Sequence, residues 1–403
     1  MSAGTNWSGT YAYRADRLHR PSSVQELQEI VAAAPRVRIL GSRHSFNDIA
    51  DSGELVTLDG LPADIAVDGE RVSLGASVRY GELAEALRGE DLALHNLASL
   101  PHISVAGAIA TATHGSGDGN GNLATAVTAL ELVTSDGELV TARRSDPEFE
   151  GMVVGLGALG AVTRVTLDVE PAYTVRQLVF EGMAWPTLLE HFDATMAAGY
   201  SVSVFTRWGE SVDQVWVKSR DEGPTDLFGA TPATVERHPI LGLDPVNCTP
   251  QLAVPGGWAD RLPHFRMGFT PSAGEEIQSE YHLPRAHAAE AIEAVRGLAD
   301  GLRPVLQVSE IRTIAADRLW VSPQYERDGV ALHFTWEREP AAVERAVAAL
   351  EAALEPFSPR PHWGKLFLAA PRYERLADFA ALAERVDPRG AFRNAWLERS
   401  VFG

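Results

Sequence analysis

The run Arg38-Ile-Leu-Gly-Ser-Arg-His44-Ser-Phe-Asn47 decides how this chain is read. A short apolar segment ends in a small-residue turn that carries an imidazole at its tip. Successive backbone amides from Gly41 to Phe46 make an anion-binding nest, and Gly41, Ser42 and Ser45 let phosphates approach it. A second turn-rich run follows, His102-Ile-Ser-Val-Ala-Gly-Ala-Ile-Ala-Thr-Ala-Thr-His114-Gly-Ser-Gly117. Its Ser104, Gly107, Thr111, Thr113, Gly115, Ser116 and Gly117 are small enough to pack against a flat ring, and its hydroxyls suit carbonyls and ring nitrogens. Two such loops suggest a large phosphorylated cofactor, a flavin. Taken alone, the first run is also readable as an ordinary turn between a strand and a helix. His44 then has three open roles: a satisfied loop histidine, a general base, or a nucleophile that tethers a flavin through its activated methyl group.

The bulk properties narrow the function. The chain has 403 residues, 45% of them hydrophobic, which suits two packed domains better than one small core. No apolar run approaches the ~18 residues of a membrane span. Residues 1–20 lack the basic-then-apolar layout of a secretion signal. A formal charge of −19 argues against nucleic acid or an anionic membrane as partner, because both demand a basic surface. The single cysteine, Cys248, excludes an intrachain disulfide and a cysteine-based zinc cluster. A cytoplasmic protein with a small neutral substrate and no metal fits these properties. No dimerisation helix is apparent, so a monomer is expected.

Around the two loops, strand-like and helix-like patterns alternate as far as residue 170. Ser22-Ser23 precedes an amphipathic helix over 24–34, with Leu27, Ile30 and Val31 on one face. Residues 36–40 read as a strand and 80–87 as a helix. Residues 130–134 and 138–142 flank Ser135-Asp-Gly137, a hairpin signal, and 161–170 alternates as a strand. Gly155-Leu-Gly157-Ala-Leu-Gly160 matches the dinucleotide fingerprint, which binds pyrophosphate only where it opens a helix. Here a β-branched run follows it and predicts a strand. The motif is better read as a tight turn that brings backbone up to a cofactor. Asp118-Gly-Asn-Gly-Asn122 offers one carboxylate and reads as a solvated turn.

After Pro171 the texture changes. Strands are expected over 201–208, 214–218, 278–283, 305–314 and 330–337, with helices over 285–298 and 341–354. This is the pattern of an α+β domain whose sheet is covered by helices. Residues 221–269 are rich in Pro and Gly and read as long loops over the sheet. Along 305–314 one face carries Leu306, Val308, Glu310, Arg312 and Ile314. Two charges therefore share a face fit for burial, where they are tolerable only as a pair. They are either a sheet-face ion pair or the floor of a polar pocket. Along 330–337, Val330, Leu332, Phe334 and Trp336 form the apolar face and Ala331, His333 and Thr335 the other, while Gln278 and Glu280 share a face of their own strand. Were these strands neighbours, a carboxylate, guanidinium, imidazole, amide and hydroxyl would converge. That set suits a substrate covered in hydroxyls, which both donate and accept. Lys365 follows a turn containing Pro and Trp that fixes its place.

A series of stretches resembles, in order along the chain, the aldonolactone and alditol oxidase branch of the vanillyl-alcohol oxidase class of flavoproteins. They are Gly41-Ser-Arg-His-Ser-Phe-Asn47, Leu100-Pro-His-Ile-Ser-Val-Ala-Gly107, Thr113-His-Gly-Ser-Gly117, Gln278-Ser-Glu-Tyr281, Glu310-Ile-Arg-Thr313, His333-Phe-Thr335 and Pro361-His-Trp-Gly-Lys365. The resemblance implies an α+β fold of two domains. Residues 1–170 would form a PCMH-type FAD-binding domain, and 171–360 a substrate domain with a large antiparallel sheet covered by helices. Residues 361–403 would return to the FAD domain. It implies FAD attached covalently through His44 and held by Leu40, Gly41, Ser42, Arg43, Ser45, Phe46, Ser104, Gly107, Thr111, Thr113, His114, Gly115, Ser116, Gly117 and Val162. It places Ser104, Gln278, Glu310, Arg312, His333, Thr335 and Lys365 in a polyol pocket. Lys365, Arg312, His333 and Glu310 are its catalytic members, and either Lys365 or His333 is the base. The implied reaction oxidises the terminal primary hydroxyl of a linear alditol such as xylitol or sorbitol to the aldose and reduces O2 to H2O2. Arg43 departs from relatives that carry Gly there, since a side chain restricts φ. A sugar-1,4-lactone oxidase or dehydrogenase on the same fold, a non-redox carbohydrate-binding protein and an NAD enzyme are the rival readings.

Overall fold

Helix Val24–Ala33 begins at Ser23, whose side chain accepts from the Glu26 N–H at 3.1 Å, and it buries Leu27 and Val31 while Ile30 stays half-buried. The next segment, Arg38–Leu40, is a short strand paired in parallel with Glu54–Thr57, which pairs on its other side with Arg17–His19. The computed structural model describes residues 3–268 and 275–403. Among them no helix is long and apolar enough to cross a membrane.

Beside this small parallel sheet stands a five-stranded antiparallel one, in the order Ile65–Asp68, Arg71–Gly75, Ala161–Asp168, Val127–Val133, Leu139–Arg143. The expected hairpin joins its last two strands, with Gly137 at φ +81° supplying the left-handed turn. The Gly155–Gly160 turn leads into strand Ala161–Asp168 and not into a helix, so no helix dipole faces it. The 118–122 turn differs from the solvated reading. Asn120 and Asn122 are buried, Asp118 pairs with Arg285, and Asn122 bonds Asp317 and Ser322.

The large sheet is antiparallel throughout. Its order is Thr231–Pro232, Thr174–Glu181, Gln214–Ser219, Ser201–Thr206, Leu306–Ile314, Gly329–Trp336, Ile277–Pro284, Arg360–Pro361, and Gly256–Gly257 pairs beside Thr174–Glu181. One face packs Val202, Val204, Ile311, Leu332 and Phe334 against helices Ala288–Arg296 and Pro340–Leu354. The other face turns toward the two loops. A register shift between Leu306 and Val308 breaks the expected alternation: Leu306 pairs with Trp336 and joins the helix-side core, while Val308 pairs with Thr335 on the opposite face. The expected loops over 221–268 hold only two-residue strands and short 3₁₀ turns, and Phe269 lies outside the described residues. Past Pro361 the chain buries Trp363, Phe379, Leu382 and Trp396 in the same core as Val72, Leu83 and Leu130.

Candidate active site

Strand Arg38–Leu40 delivers the first loop to the centre of the molecule. Arg38 itself points inward, and its guanidinium donates to the carbonyls of Ile49, Leu156, Gly157 and Phe392 at 2.6–2.9 Å. One buried side chain thus ties together the His44 loop, the glycine-rich turn and the C-terminal tail. Arg43 takes φ +64°, a left-handed conformation that costs a non-glycine residue about 1–2 kcal/mol. Its Nη1 donates to the Ala3 carbonyl at 2.5 Å, which offsets part of that cost and explains how an arginine occupies a glycine-like position.

The second loop locks onto the first through two serines. Ser104 N–H donates to Ser42 Oγ at 2.9 Å, and Ser42 N–H reaches Ser104 Oγ at 3.4 Å. A Cβ at Gly41 would lie 3.0 Å from Ser104 Oγ, and one at Gly107 would lie 2.7 Å from it, so a side chain at either position would displace the Ser104 hydroxyl from its contact with Ser42. His44 is half-buried, stacks on Trp7 at a centroid distance of 5.5 Å and places Nδ1 3.2 Å from Ser42 Oγ. Burial pushes its pKa down to about 4, which leaves a neutral imidazole with a free electron pair at neutral pH.

Leu40, Gly41, Ser42, Arg43, His44, Ser45, Phe46, Ser104, Gly107, Thr111, Thr113 and His114 all line one cavity. Gln278, Glu310, Arg312, His333, Thr335 and Lys365 line the same cavity from the far side. Gly115, Ser116 and Gly117 do not line it. Gly117 and Ser116 join the loop to the large sheet, where Gly117 N–H donates to Thr313 O at 2.8 Å and Ser116 Oγ bonds Val202 O, while Gly115 packs against the 96–97 segment, where a Cβ would lie 2.5 Å from Leu97 O. Val162 lines a smaller neighbouring cavity together with Gly157 and Gly160.

The polar wall follows from strand register. Phe205, Glu310, His333 and Glu280 lie on one cross-strand rung, and Gln278, Thr335 and Val308 on the next. Two buried ion pairs result. Arg312 Nε donates to Glu310 Oε1 at 2.5 Å, and Lys365 Nζ lies 3.1 Å from Glu280 Oε2. Burial opposes ionisation of both carboxyls. Arg312 and His264 nevertheless hold Glu310 well below the usual carboxylate range, and Lys365 and His114 do the same for Glu280. Lys365 Nζ also reaches Gln278 Oε1 at 2.9 Å and His333 Nδ1 at 2.8 Å, while His333 Nε2 meets Thr335 Oγ1 at 3.1 Å. Burial lowers the Lys365 pKa and brings His333 down to about 4. The lysine is placed by the first loop, since Asn47 Nδ2 donates to the carbonyls of Trp363 and Lys365, both at 2.8 Å.

Glu280 is the partner that sequence reasoning left without a role. It accepts from His114 Nε2 at 2.9 Å as well as from Lys365. Ser99, His264 and Lys218 behind Arg312 were missed altogether. Lys218 had one legible signal: in Gln214-Val-Trp-Val-Lys218 it alternates on the same face as Trp216.

The close-packed glycine and serine loops, the neutral imidazole at the loop tip and the hydroxyls of Ser104, Thr111 and Thr113 lining the same cavity fit a flavin nucleotide, which these loops would hold. This fold and cavity define an FAD-binding flavoprotein of the vanillyl-alcohol oxidase class with a PCMH-type domain. Residues 15–143 match the FAD binding domain family, and residues 273–400 match D-arabinono-1,4-lactone oxidase. An alditol oxidase from Streptomyces sp. is 50% identical over the whole of both chains. An L-gulono-1,4-lactone dehydrogenase from Mycobacterium tuberculosis is 29% identical over 98% of each. The crystal structure of cholesterol oxidase from B. sterolicum, only 16% identical, superimposes with a TM-score of 0.77 over 99% of this chain and 96% of that one. The chain belongs to the alditol and aldonolactone oxidase branch of that flavoprotein class and is an FAD-dependent oxidoreductase.

Proposed function

We propose that this enzyme oxidises the terminal primary hydroxyl of linear alditols to the aldose, with O2 as acceptor and H2O2 as product. The observation that carries the reading is the single wall on which Arg312, His333, Thr335, Gln278 and Lys365 meet opposite the His44 loop. Its hydrogen-bonding character matches a hydroxyl-rich chain, and a full-length relative at 50% identity is an alditol oxidase. We place the FAD domain at residues 1–170, the substrate domain at 171–360 and the returning tail at 361–403. The tether is assigned to His44.

When bound, FAD supplies two-electron oxidation and returns the electrons to dioxygen. The chain's own residues do the rest. Ser104, Gln278 and Thr335 grip the hydroxyls along the substrate and hold C1 in one place, and such positioning lowers the barrier by several kcal/mol. Arg312 lines the cavity and spends its Nε and Nη2 on Glu310, Ser99 and His264, which leaves Nη1 to bind the reacting oxygen and stabilise its developing charge. The hydroxyl proton passes to the Lys365–His333 pair. His333 is neutral, Lys365 has its pKa lowered by burial, and the pair titrates as a unit. Glu280 restrains that lowering; the Lys365 amine donates to His333 Nδ1 at 2.8 Å and so favours the Nε2-protonated ring, whose N–H the Thr335 hydroxyl can accept at 3.1 Å.

Peroxide release measured with xylitol, sorbitol and gulono-1,4-lactone tests the reading. Turnover of the alditols far above that of the lactone supports it. Preference for the lactone assigns the enzyme to the lactone-oxidising side of the branch, and a colourless protein without turnover makes it a carbohydrate binder.

A further inference from the structure

Behind the Glu310–Arg312 pair lies a second line of buried groups that the proposed chemistry does not use. Lys218, on strand Gln214–Ser219, faces the same side of the sheet as Glu310 and Arg312 and is 1% exposed. Its Nζ donates to the carbonyl of Leu262, lies 3.3 Å from that of Pro263, and lies 3.0 Å from Nδ1 of His264. The other ring nitrogen, Nε2, is 2.8 Å from Glu310 Oε1. A carboxylate oxygen at that distance requires a proton on Nε2, and an amine donor at the opposite nitrogen requires a lone pair on Nδ1. Arg312 Nη2 also lies 3.2 Å from Nε2, but the carboxylate oxygen is closer and Arg312 Nη2 has Ser99 and Glu310 as acceptors, so the neutral, Nε2-protonated imidazole is the form that fits the Glu310 and Lys218 contacts together. The rings of Phe205 and Trp216 stand edge-on to it, each at a centroid distance of 5.3 Å, and shield it from water.

We propose that Lys218 and His264 are positioning residues for the oxidation: Lys218 dictates the His264 tautomer, His264 holds Glu310, and Glu310 aims the Arg312 guanidinium at the substrate oxygen. The substrate in this statement rests on the alditol reading, while the tautomer does not. A neutral donor would brace the 262–264 turn at lower cost, because burying an amine so deeply penalises its charge. What the lysine adds is control over its neighbour's protons. The groups facing His264 are Lys218 from one strand and Glu310 and Arg312 from another. Cys248 faces Lys218 and is uncharged, its thiol pushed up to about 12 by burial. Burial, then Lys218, holds His264 down to about 3.

Nitrogen NMR of the ¹⁵N-histidine-labelled flavoprotein tests this without any variant. The expected result is an Nε2-protonated His264 that does not titrate between about pH 5 and 9. An Nδ1-protonated ring, or one that titrates in that range, overturns the proposal. In Lys218→Met the imidazole keeps Glu310 but loses the amine, so it is expected to titrate and to add an acid inflection to kcat/KM. Flavin content should hold while kcat/KM for xylitol falls roughly tenfold or more. His264→Gln, which keeps a donor for Glu310, should retain more kcat/KM than His264→Leu. Wild-type rates in Lys218→Met, or equal rates in the Gln and Leu variants, reduce the pair to a strut and overturn the proposal. A wild-type protein that ignores xylitol refutes the alditol reading instead, and the NMR spectrum then still decides the tautomer. That spectrum also decides where Lys218→Met does not fold.

Discussion

Glu280→Gln keeps the size of a side chain at the centre of the polar wall and removes its charge. Glu280 lies 3.1 Å from Lys365 Nζ and accepts from His114 at 2.9 Å, with both carboxylate oxygens buried. At 3.1 Å, Coulomb's law with an effective dielectric of about 20 gives about 5 kcal/mol of attraction between carboxylate and ammonium. At 1.36 kcal/mol per pH unit that is about four units of support for the protonated lysine, an upper bound. The amide still accepts a hydrogen bond and the wall relaxes, so a fall of about one to two units is expected. The Lys365–His333 pair must shed a proton before it can receive one from substrate, so the acid limb of kcat/KM reports its titration. That limb should move to lower pH in Glu280→Gln. Removing one partner of a buried pair should also cost about 3–5 kcal/mol of stability. Initial rates of peroxide formation with xylitol across pH read the limb, flavin absorbance reports that the fold is kept, and urea unfolding reads the stability. An acid limb that stays in place or moves to higher pH refutes the role given to Glu280 and with it the assignment of the proton to Lys365 and His333.

Lys365→Met and Arg312→Ala should each lower kcat roughly 100-fold or more, with an unchanged flavin spectrum; near-normal turnover in either removes that residue from the chemistry. His44→Ala should yield FAD that separates from the protein on acid precipitation, and a pellet that stays yellow places the tether elsewhere. His264 and His362, held by burial at about 3, and His333, held at about 4, refuse protons that an unfolded chain binds near pH 6.5. Their folded pKa values are depressed, so their contribution to stability is complete above pH 6.5 and is lost as pH falls toward 4. With three protons taken up on unfolding, stability near pH 5 should fall on the order of 4 kcal/mol per pH unit. Equal urea midpoints at pH 7 and pH 5 would contradict this.

The residues that were legible in the sequence are those whose placement depends on short-range rules. The period-two alternation through Glu310 and Arg312, and through His333 and Thr335, puts each pair on one face whatever the neighbours are, and the observed register brings the faces together. The glycines of the two loops were legible for the same local reason, although Gly117 proved to join the loop to the large sheet and Gly115 to pack against residues 96–97. Leu306 escaped because a single register shift inverts everything before it. Glu280 stood on the expected face, but its partners His114 and Lys365 arrive from segments far away in the chain. His264 sits in the aperiodic 221–268 stretch, where no repeat marks a facing residue, and without it Lys218 reads as the end of an ordinary strand.

The most direct measurement mixes the purified enzyme with xylitol in the absence of oxygen and follows the yellow flavin absorbance. The colour is expected to bleach and then to return when air is admitted, with an equivalent of peroxide released. A flavin that stays yellow with xylitol and sorbitol alike would contradict it.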